Sequence, residues 1–326
     1  MLIEKKIGNT PLTRCPFLSD KFRTNIYIKD ESFNPGKSSK DRAAYFMLED
    51  AIKGNKVSPG GTIVEASSGN TGISIALMAR ELGCRVKIFV SKTCSAEKRA
   101  LLEEYGASIE ICDNSFGLHV FNSTQYQAQA YAANNENAYF TNQYYNSANI
   151  KAHYRTTGPE LWEQTNQRIS HVMVGVGTGG SISGIGRYLK EQNSAIRIIG
   201  VEPINSVYQA YLVDGALAHS GLVHDAIEGI GRTFIPGTFD AQVVDTIYQV
   251  DEERTKQCAQ DHRADTNRLI GFSSAAVLAA LEQNIDELKL SSEDHLVLYF
   301  PDHGDRYLQK LYNQTEREDS ETFETS

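Results

Sequence analysis

The stretch HVMVGVGTGGSISGIGRYLKEQN, residues 171–193, decides how the chain folds. It opens with an apolar, valine-rich run, turns through TGG and continues in a helical pattern. The same order recurs upstream, where TIVEA leads through SSGN into TGISIALMARELG and RVKIFV precedes SAEKRALLEEYGA; downstream, IRIIGVE follows. Repeated strand-then-helix units predict an α/β fold with parallel sheets flanked by helices on both faces. In such sheets ligands bind at the carboxyl ends of the strands, where the glycine-rich turns lie.

Composition bounds the partners. The chain has 326 residues, 40% hydrophobic and 22% charged, enough to enclose a core and divide it into two domains. No run of about 18 apolar residues is present and MLIEKKIGNTPL lacks a signal-peptide pattern, so no membrane partner and a cytoplasmic location are expected. Five dispersed cysteines form neither a disulfide framework nor a zinc site, and no metal is expected. A net charge of −9 argues against nucleic acid and anionic membranes, which need a concentrated basic face. Small molecules are the expected partners. The acidic, aperiodic stretch 313–326 has the composition of a disordered tail.

Three loops hold the candidate chemistry. In NPGKSSKDR, residues 34–42, Lys40 stands at the start of a helix predicted from Ala44, Met47, Leu48 and Ala51, with Gly54 as its C-cap. The positive end of the helix dipole, and burial, both favour its neutral, nucleophilic amine. Lys37 lies further out in the loop. A phosphate loop of the GxxxxGK[ST] type is excluded because Glu31 occupies the first glycine position. The loop SSGNTG, residues 67–72, offers hydroxyls and backbone N–H groups at a helix N-terminus, suited to an anion or to simple capping. The loop GVGTGGS, residues 175–181, satisfies GxGxxG through Gly175, Gly177 and Gly180, with Glu202 near the end of the next strand. A nicotinamide dinucleotide is therefore a rival ligand. Two anion loops beside a reactive lysine suit pyridoxal phosphate better: its phosphate needs a cradle, its aldehyde an amine, and its amino-acid substrate a carboxylate site.

These residues resemble the cysteine synthase and cystathionine β-synthase family, the second fold type of pyridoxal-phosphate enzymes, similar in fold to the tryptophan synthase β chain. The motifs run along nearly the whole chain: IGNTPL, NPGxSxKDR, SGNTG, TTGPE at 156–160, GVGTGG, EGIG at 228–231, GFSS at 271–274 and PDHGDRY at 301–307. The resemblance, closest to the O-acetylserine sulfhydrylase branch, implies pyridoxal 5'-phosphate as cofactor and Lys40 as its Schiff-base lysine. It implies Asn70 at the ring hydroxyl, Gly177, Thr178, Gly179, Gly180 and Ser181 as the phosphate cup, and Ser273 at the pyridine nitrogen. Ser67, Ser68, Gly69, Thr71 and Gln143 look like the α-carboxylate site, with Gly229 of EGIG also at the substrate. A smaller mobile domain is expected over 41–145 and a larger one over 1–40 plus 146–312, with homodimer formation.

The implied reaction is β-replacement on O-acetyl- or O-phosphoserine through an aminoacrylate, cysteine synthase first. Cystathionine synthesis and an amine nucleophile giving a diaminopropionate derivative stay open; a nicotinamide enzyme and a catalytically silent binding relative are remoter. The chain departs from the pattern at Lys37, Ser39, Arg232, Thr233 and Ala275. Two added cations, Lys37 and Arg232, near the expected mouth point to an anionic leaving group or nucleophile, or simply face water.

Overall fold

A computed structural model describes residues 3–115, 117, 120–215 and 227–312; the expected tail at 313–326 lies outside the described residues. The strands are β1 (Leu12–Arg14), β2 (Asn25–Asp30), β3 (Thr62–Ala66), β4 (Arg85–Ser91), β5 (Ala107–Cys112), β6 (Ala138–Phe140), β7 (His171–Gly175), β8 (Arg197–Pro203), β9 (Thr246–Val250) and β10 (His295–Phe300). They form two sheets, one ordered β1-β2-β10-β7-β8-β9 and one ordered β5-β4-β3-β6. Every pairing is parallel except β1 with β2, an antiparallel edge that the strand–helix repeat did not foretell.

The register follows from side-chain alternation. On β10, Leu296, Leu298 and Phe300 face one apolar cluster with the helix Phe272–Leu288, whereas Val297 and Tyr299 face a second with the helix Gly180–Gln192. β3 and β10 are buried at every position, as strands covered on both faces must be. The smaller sheet packs Ile63, Ile88 and Val90 against the helices Lys40–Lys53 and Asn70–Ala79. Ala44, Met47, Leu48 and Ala51 form the buried stripe of the Lys40 helix. Met47 and Leu48 are fully buried, each contributing about 1.5–3 kcal/mol. Gly54 ends that helix by donating its N–H to Asp50, at φ −83 rather than in the left-handed region.

The last strand of the chain enters the middle of the larger sheet, between β2 and β7. Its carboxyl end, with Pro301 and Asp302, therefore emerges beside the NPGKSSK loop that follows β2 and the GVGTGG loop that follows β7. Ser39 N–H donates to Pro301 O at 2.8 Å, and Ser38 forms an isolated bridge with Asp302. Strand order, not proximity in sequence, brings these loops together.

A buried ionic network fixes the direction in which the Lys40 helix enters. Arg42 donates to Glu31 through Nε (2.6 Å) and Nη2 (2.9 Å) and to Glu160 through Nη1 (2.6 Å). Lys29 donates to Glu160 at 2.6 Å and to Thr10 O at 2.8 Å. Thr10 of IGNTPL, Arg42 of KDR and Glu160 of TTGPE thus meet in one cluster, a structural reason for three of the motifs. Burial raises the Glu160 carboxyl, but Arg42 and Lys29 outweigh it and hold the group down at about 2. Asp41 closes the loop before the helix, accepting from Gly36 N–H and Ser74 Oγ, each at 2.5 Å; burial pushes its carboxyl up to about 6.

Candidate active site

Lys40 is the first residue of its helix, and its backbone N–H donates to Ser38 Oγ at 3.3 Å. Burial lowers the proton affinity of its amine; Asp302 acts against that, Arg232 with it, and Glu31 against it. The residue is half-buried.

Asn70 begins the helix after the SSGN turn. Its Nδ2 donates to Asp302 Oδ2 at 2.7 Å, and Arg306 donates to its Oδ1, so the amide is oriented from both sides. Thr71 donates to Gln143 Oε1 at 2.7 Å, bringing together two residues 72 positions apart. Ser67 Oγ accepts from Gly69 N–H at 3.3 Å, and Ser68 Oγ accepts from Ser91 N–H at 3.0 Å, which fastens the turn to the end of β4. Asn149 donates to Gln143 O (2.9 Å) and Thr178 Oγ1 (3.1 Å), linking this turn to the glycine loop.

The glycine loop needs its glycines for two reasons. Gly179 has φ +87, the left-handed region that disfavours side chains, and a Cβ there would meet Phe239 at 2.7 Å. A Cβ on Gly177 would lie 2.1 Å from Gly229 O, so the EGIG turn and the glycine loop touch backbone to backbone. Thr178 Oγ1 accepts from Gly180 N–H at 3.2 Å. Ser181 Oγ bonds His153 Nε2 at 3.1 Å, and His153 Nδ1 bonds Thr157 Oγ1 at 2.9 Å. The amides open the helix Gly180–Gln192, a terminus suited to an anion. Ser273 is buried near the start of the helix Phe272–Leu288, its Cβ 3.6 Å from the point where Gly175 would place one.

The two added cations part company. Arg232 joins the group: its guanidinium lies 5.3 Å from the Tyr144 ring centroid and 3.7 Å from the Cβ position of Gly177. Lys37 does not, which agrees with the second of its two expected readings, a side chain that faces water. It sits at φ +55 on the exposed side of the loop and pairs with Asp305 at 2.6 Å. Glu202 is also spoken for. It is fully buried and accepts from the backbone N–H of Tyr208 and Gln209, both at 2.9 Å, and from Gln249 at 3.0 Å. The acidic residue a dinucleotide site would turn to a ribose here caps the start of the helix Tyr208–Asp214 instead.

The residues fit pyridoxal phosphate on observable grounds. The Lys40 amine has a lowered proton affinity, the Asn70 amide is oriented from both sides, and a turn that a Cβ would fill leaves its N–H groups at a helix end. Asp302, Arg306 and Tyr307 are not among the residues expected from the sequence, although they lie in its PDHGDRY motif. The signal was there: an acidic residue two positions beyond the end of an apolar run, where ligand loops lie.

This fold and site define the class of α/β pyridoxal-phosphate enzymes that substitute at Cβ of an amino acid. Residues 3–302 match the family described as "Pyridoxal-phosphate dependent enzyme", and the chain belongs to that family. It is 36% identical to the O-acetylserine dependent cystathionine beta-synthase of Bacillus subtilis (strain 168), over 94% of this chain and 96% of that one. It is also 36% identical to the cysteine synthase of Aquifex aeolicus (strain VF5), over 94% and 90%. A crystal structure of O-ureido-L-serine synthase superposes with a TM-score of 0.86 at 30% identity, covering 97% of this chain and 96% of that one. The expected fold, cofactor and enzyme class are borne out.

Proposed function

We propose that the protein replaces the β-substituent of an O-activated L-serine, with cysteine synthesis as its principal activity. The observation that carries this reading is the Lys40 amine at a helix start, its proton affinity lowered by burial. Relatives named for cysteine and O-acetylserine-dependent cystathionine synthesis support the donor class.

The chain's residues divide the work. Gly177, Thr178, Gly179, Gly180 and Ser181 hold the cofactor phosphate, Asn70 its ring hydroxyl and Ser273 its ring nitrogen. When bound, pyridoxal phosphate supplies an aldehyde that captures amines and a ring that draws electrons from the substrate's α-carbon. A serine hydroxyl bonds the ring nitrogen without lending it a proton, which favours loss of a β-leaving group over chemistry requiring a long-lived carbanion. Ser67, Ser68, Gly69, Thr71 and Gln143 bind the substrate carboxylate, with Gly229 at its edge. Lys40 anchors the cofactor, and its Nζ takes the α-proton and later returns it. The segment 41–145 closes on the rest to exclude water, and two copies pair as a cytoplasmic homodimer.

Arg232 favours one particular donor. A guanidinium beside the glycine loop complements a leaving phosphate, as in O-phosphoserine, or a carboxylated nucleophile. The test is a matrix of donors (O-acetylserine, O-phosphoserine) and nucleophiles (sulfide, homocysteine, amines), read by mass spectrometry of the amino-acid product. Cysteine from sulfide is expected. No product with any pair, or undiminished turnover by Lys40→Ala, would overturn the reading; size-exclusion light scattering reports the dimer.

A further inference from the structure

Asp302 stands at the carboxyl end of the central strand, is 4% exposed, and is held from several sides. Its Oδ2 accepts from Tyr307 Oη (2.6 Å) and from Asn70 Nδ2 (2.7 Å). Its Oδ1 is buried and has no hydrogen-bond partner among the described residues. The carboxylate is packed tightly enough that a Cβ on Gly271 would lie 1.8 Å from Oδ1. Such a carboxylate is costly to bury unless a charge answers it.

The charged and titratable groups around it narrow what that charge is. Asp302 lies beside the Lys40 loop, where Ser38 bridges to it and Ser39 N–H donates to Pro301 O at 2.8 Å; burial raises the proton affinity of its carboxyl, and Tyr307, Asn70, Arg306 and Lys40 act against that and favour its charge. Arg306 is engaged with Asn70 Oδ1 and, at 2.6 Å, with Gly36 O. Around Lys40 stand Asp302, Arg232, Glu31 and His153. Of the two carboxylates, Glu31 is already bonded by Arg42 through two nitrogens, by Thr10 and by Asn34. His153 is buried with both ring nitrogens bonded to hydroxyls, so it brings no negative charge. Arg232 repels an ammonium. Asp302 alone among these groups joins negative charge to an oxygen not yet bonded.

We propose that Asp302 is a positioning residue for Lys40, supplying the counter-charge for the ammonium that forms when this amine takes up the substrate's α-proton. The inference rests on the reading of Lys40 as anchor and base. In that step the Cα–H bond breaks, its electron pair stays with the substrate, and the Nζ lone pair forms the new N–H bond. Asp302 takes no proton. Its unbonded Oδ1 is the oxygen left to answer the new positive charge, while Oδ2 keeps the Asn70 amide turned so that Nδ2 retains one hydrogen to donate into the site. One carboxylate thus couples the proton affinity of the lysine to the orientation of the neighbouring amide.

The test uses the apoenzyme. Trace acetic anhydride labels lysines in competition with a standard amine across a pH series, and mass spectrometry follows the Lys40 peptide. Asp302→Asn keeps the shape and removes the charge; it is expected to lower the proton affinity of Lys40 about tenfold, moving the labelling midpoint down by about one pH unit. Tyr307→Phe disturbs the same cluster but keeps the charge, and should leave the midpoint in place. An unmoved midpoint in Asp302→Asn, or an equal fall in both variants, would overturn the proposal. If thermal melting shows that Asp302→Asn does not fold, Asp302→Ser is read in the same way. Borohydride reduction of the wild-type protein with pyridoxal phosphate separates the two readings. An adduct absent from Lys40 removes the anchor assignment itself; an adduct on Lys40 with an unmoved midpoint removes only the role of Asp302.

Discussion

Lys40 shows how little of a residue's chemistry lies in the residue itself. Burial and Arg232 make its amine available as a nucleophile, while Asp302 and Glu31 keep a proton within its reach. Lys40→Ala is expected to lose at least about 10³-fold in turnover, since the proposed mechanism gives one side chain the work of both anchor and base. Arg232→Ala should lower kcat/KM for O-phosphoserine about 10- to 100-fold and that for O-acetylserine by less; equal losses would deny it a role at an anionic group. Glu65, in β3 two positions before the SSGN turn, is fully buried, and burial pushes its carboxyl up to about 7. A carboxyl raised in this way destabilises the fold as pH climbs from its unfolded value through about 7, and costs nothing extra below that window. It accepts from Ala66 N–H (2.7 Å) and lies 2.5 Å from Thr141 Oγ1, which also reaches Val64 O. Glu65→Gln reproduces the protonated form. It should raise Tm at pH 8 and leave it unchanged near pH 5.

At the scale of elements, the glycine loop and the EGIG turn act as one unit. Gly177→Ala drives a methyl into Gly229 O, and either the cup or the turn must move. The expected outcome is a loss of about tenfold or more in pyridoxal-phosphate affinity, measured by absorbance titration of the apoenzyme, with a fall in Tm. An unchanged affinity would place the phosphate elsewhere. The strand–turn–helix units themselves were legible in the residues, because their periodicities and glycine punctuation are local properties. The Lys40 helix has its predicted stripe, and the SSGN and glycine loops open helices where they were expected to. The antiparallel β1 was not legible: it is three residues long, too short for a period-two pattern to declare itself.

The cluster of Lys29, Glu31, Arg42 and Glu160 ties the N-terminal segment and the larger sheet to the helix leading into the smaller one. Arg42→Ala leaves Glu31 and part of Glu160 uncompensated, and should cost about 3–5 kcal/mol, read by urea unfolding. Glu160 is held at about 2, so its stabilisation is complete above its unfolded pKa and is lost as pH falls from there toward 2. The acid limb of a pH–stability curve should therefore flatten in Glu160→Gln; an unaltered slope would show that the cluster does not act as drawn.

The sequence by itself determined the local grammar: which runs become strands, where helices begin, which turns can hold an anion, and that Lys40 stands at such a beginning. Tertiary structure alone decided the rest. It set Asp302 against Asn70, 232 positions away, because the last strand enters between β2 and β7. It turned Lys37 outward toward Asp305 and Arg232 inward, and it gave Glu202 to a helix end instead of a ligand. Periodicity and capping act over a few neighbouring residues, whereas the partner of a charge at a strand end is fixed by the order in which distant strands pair.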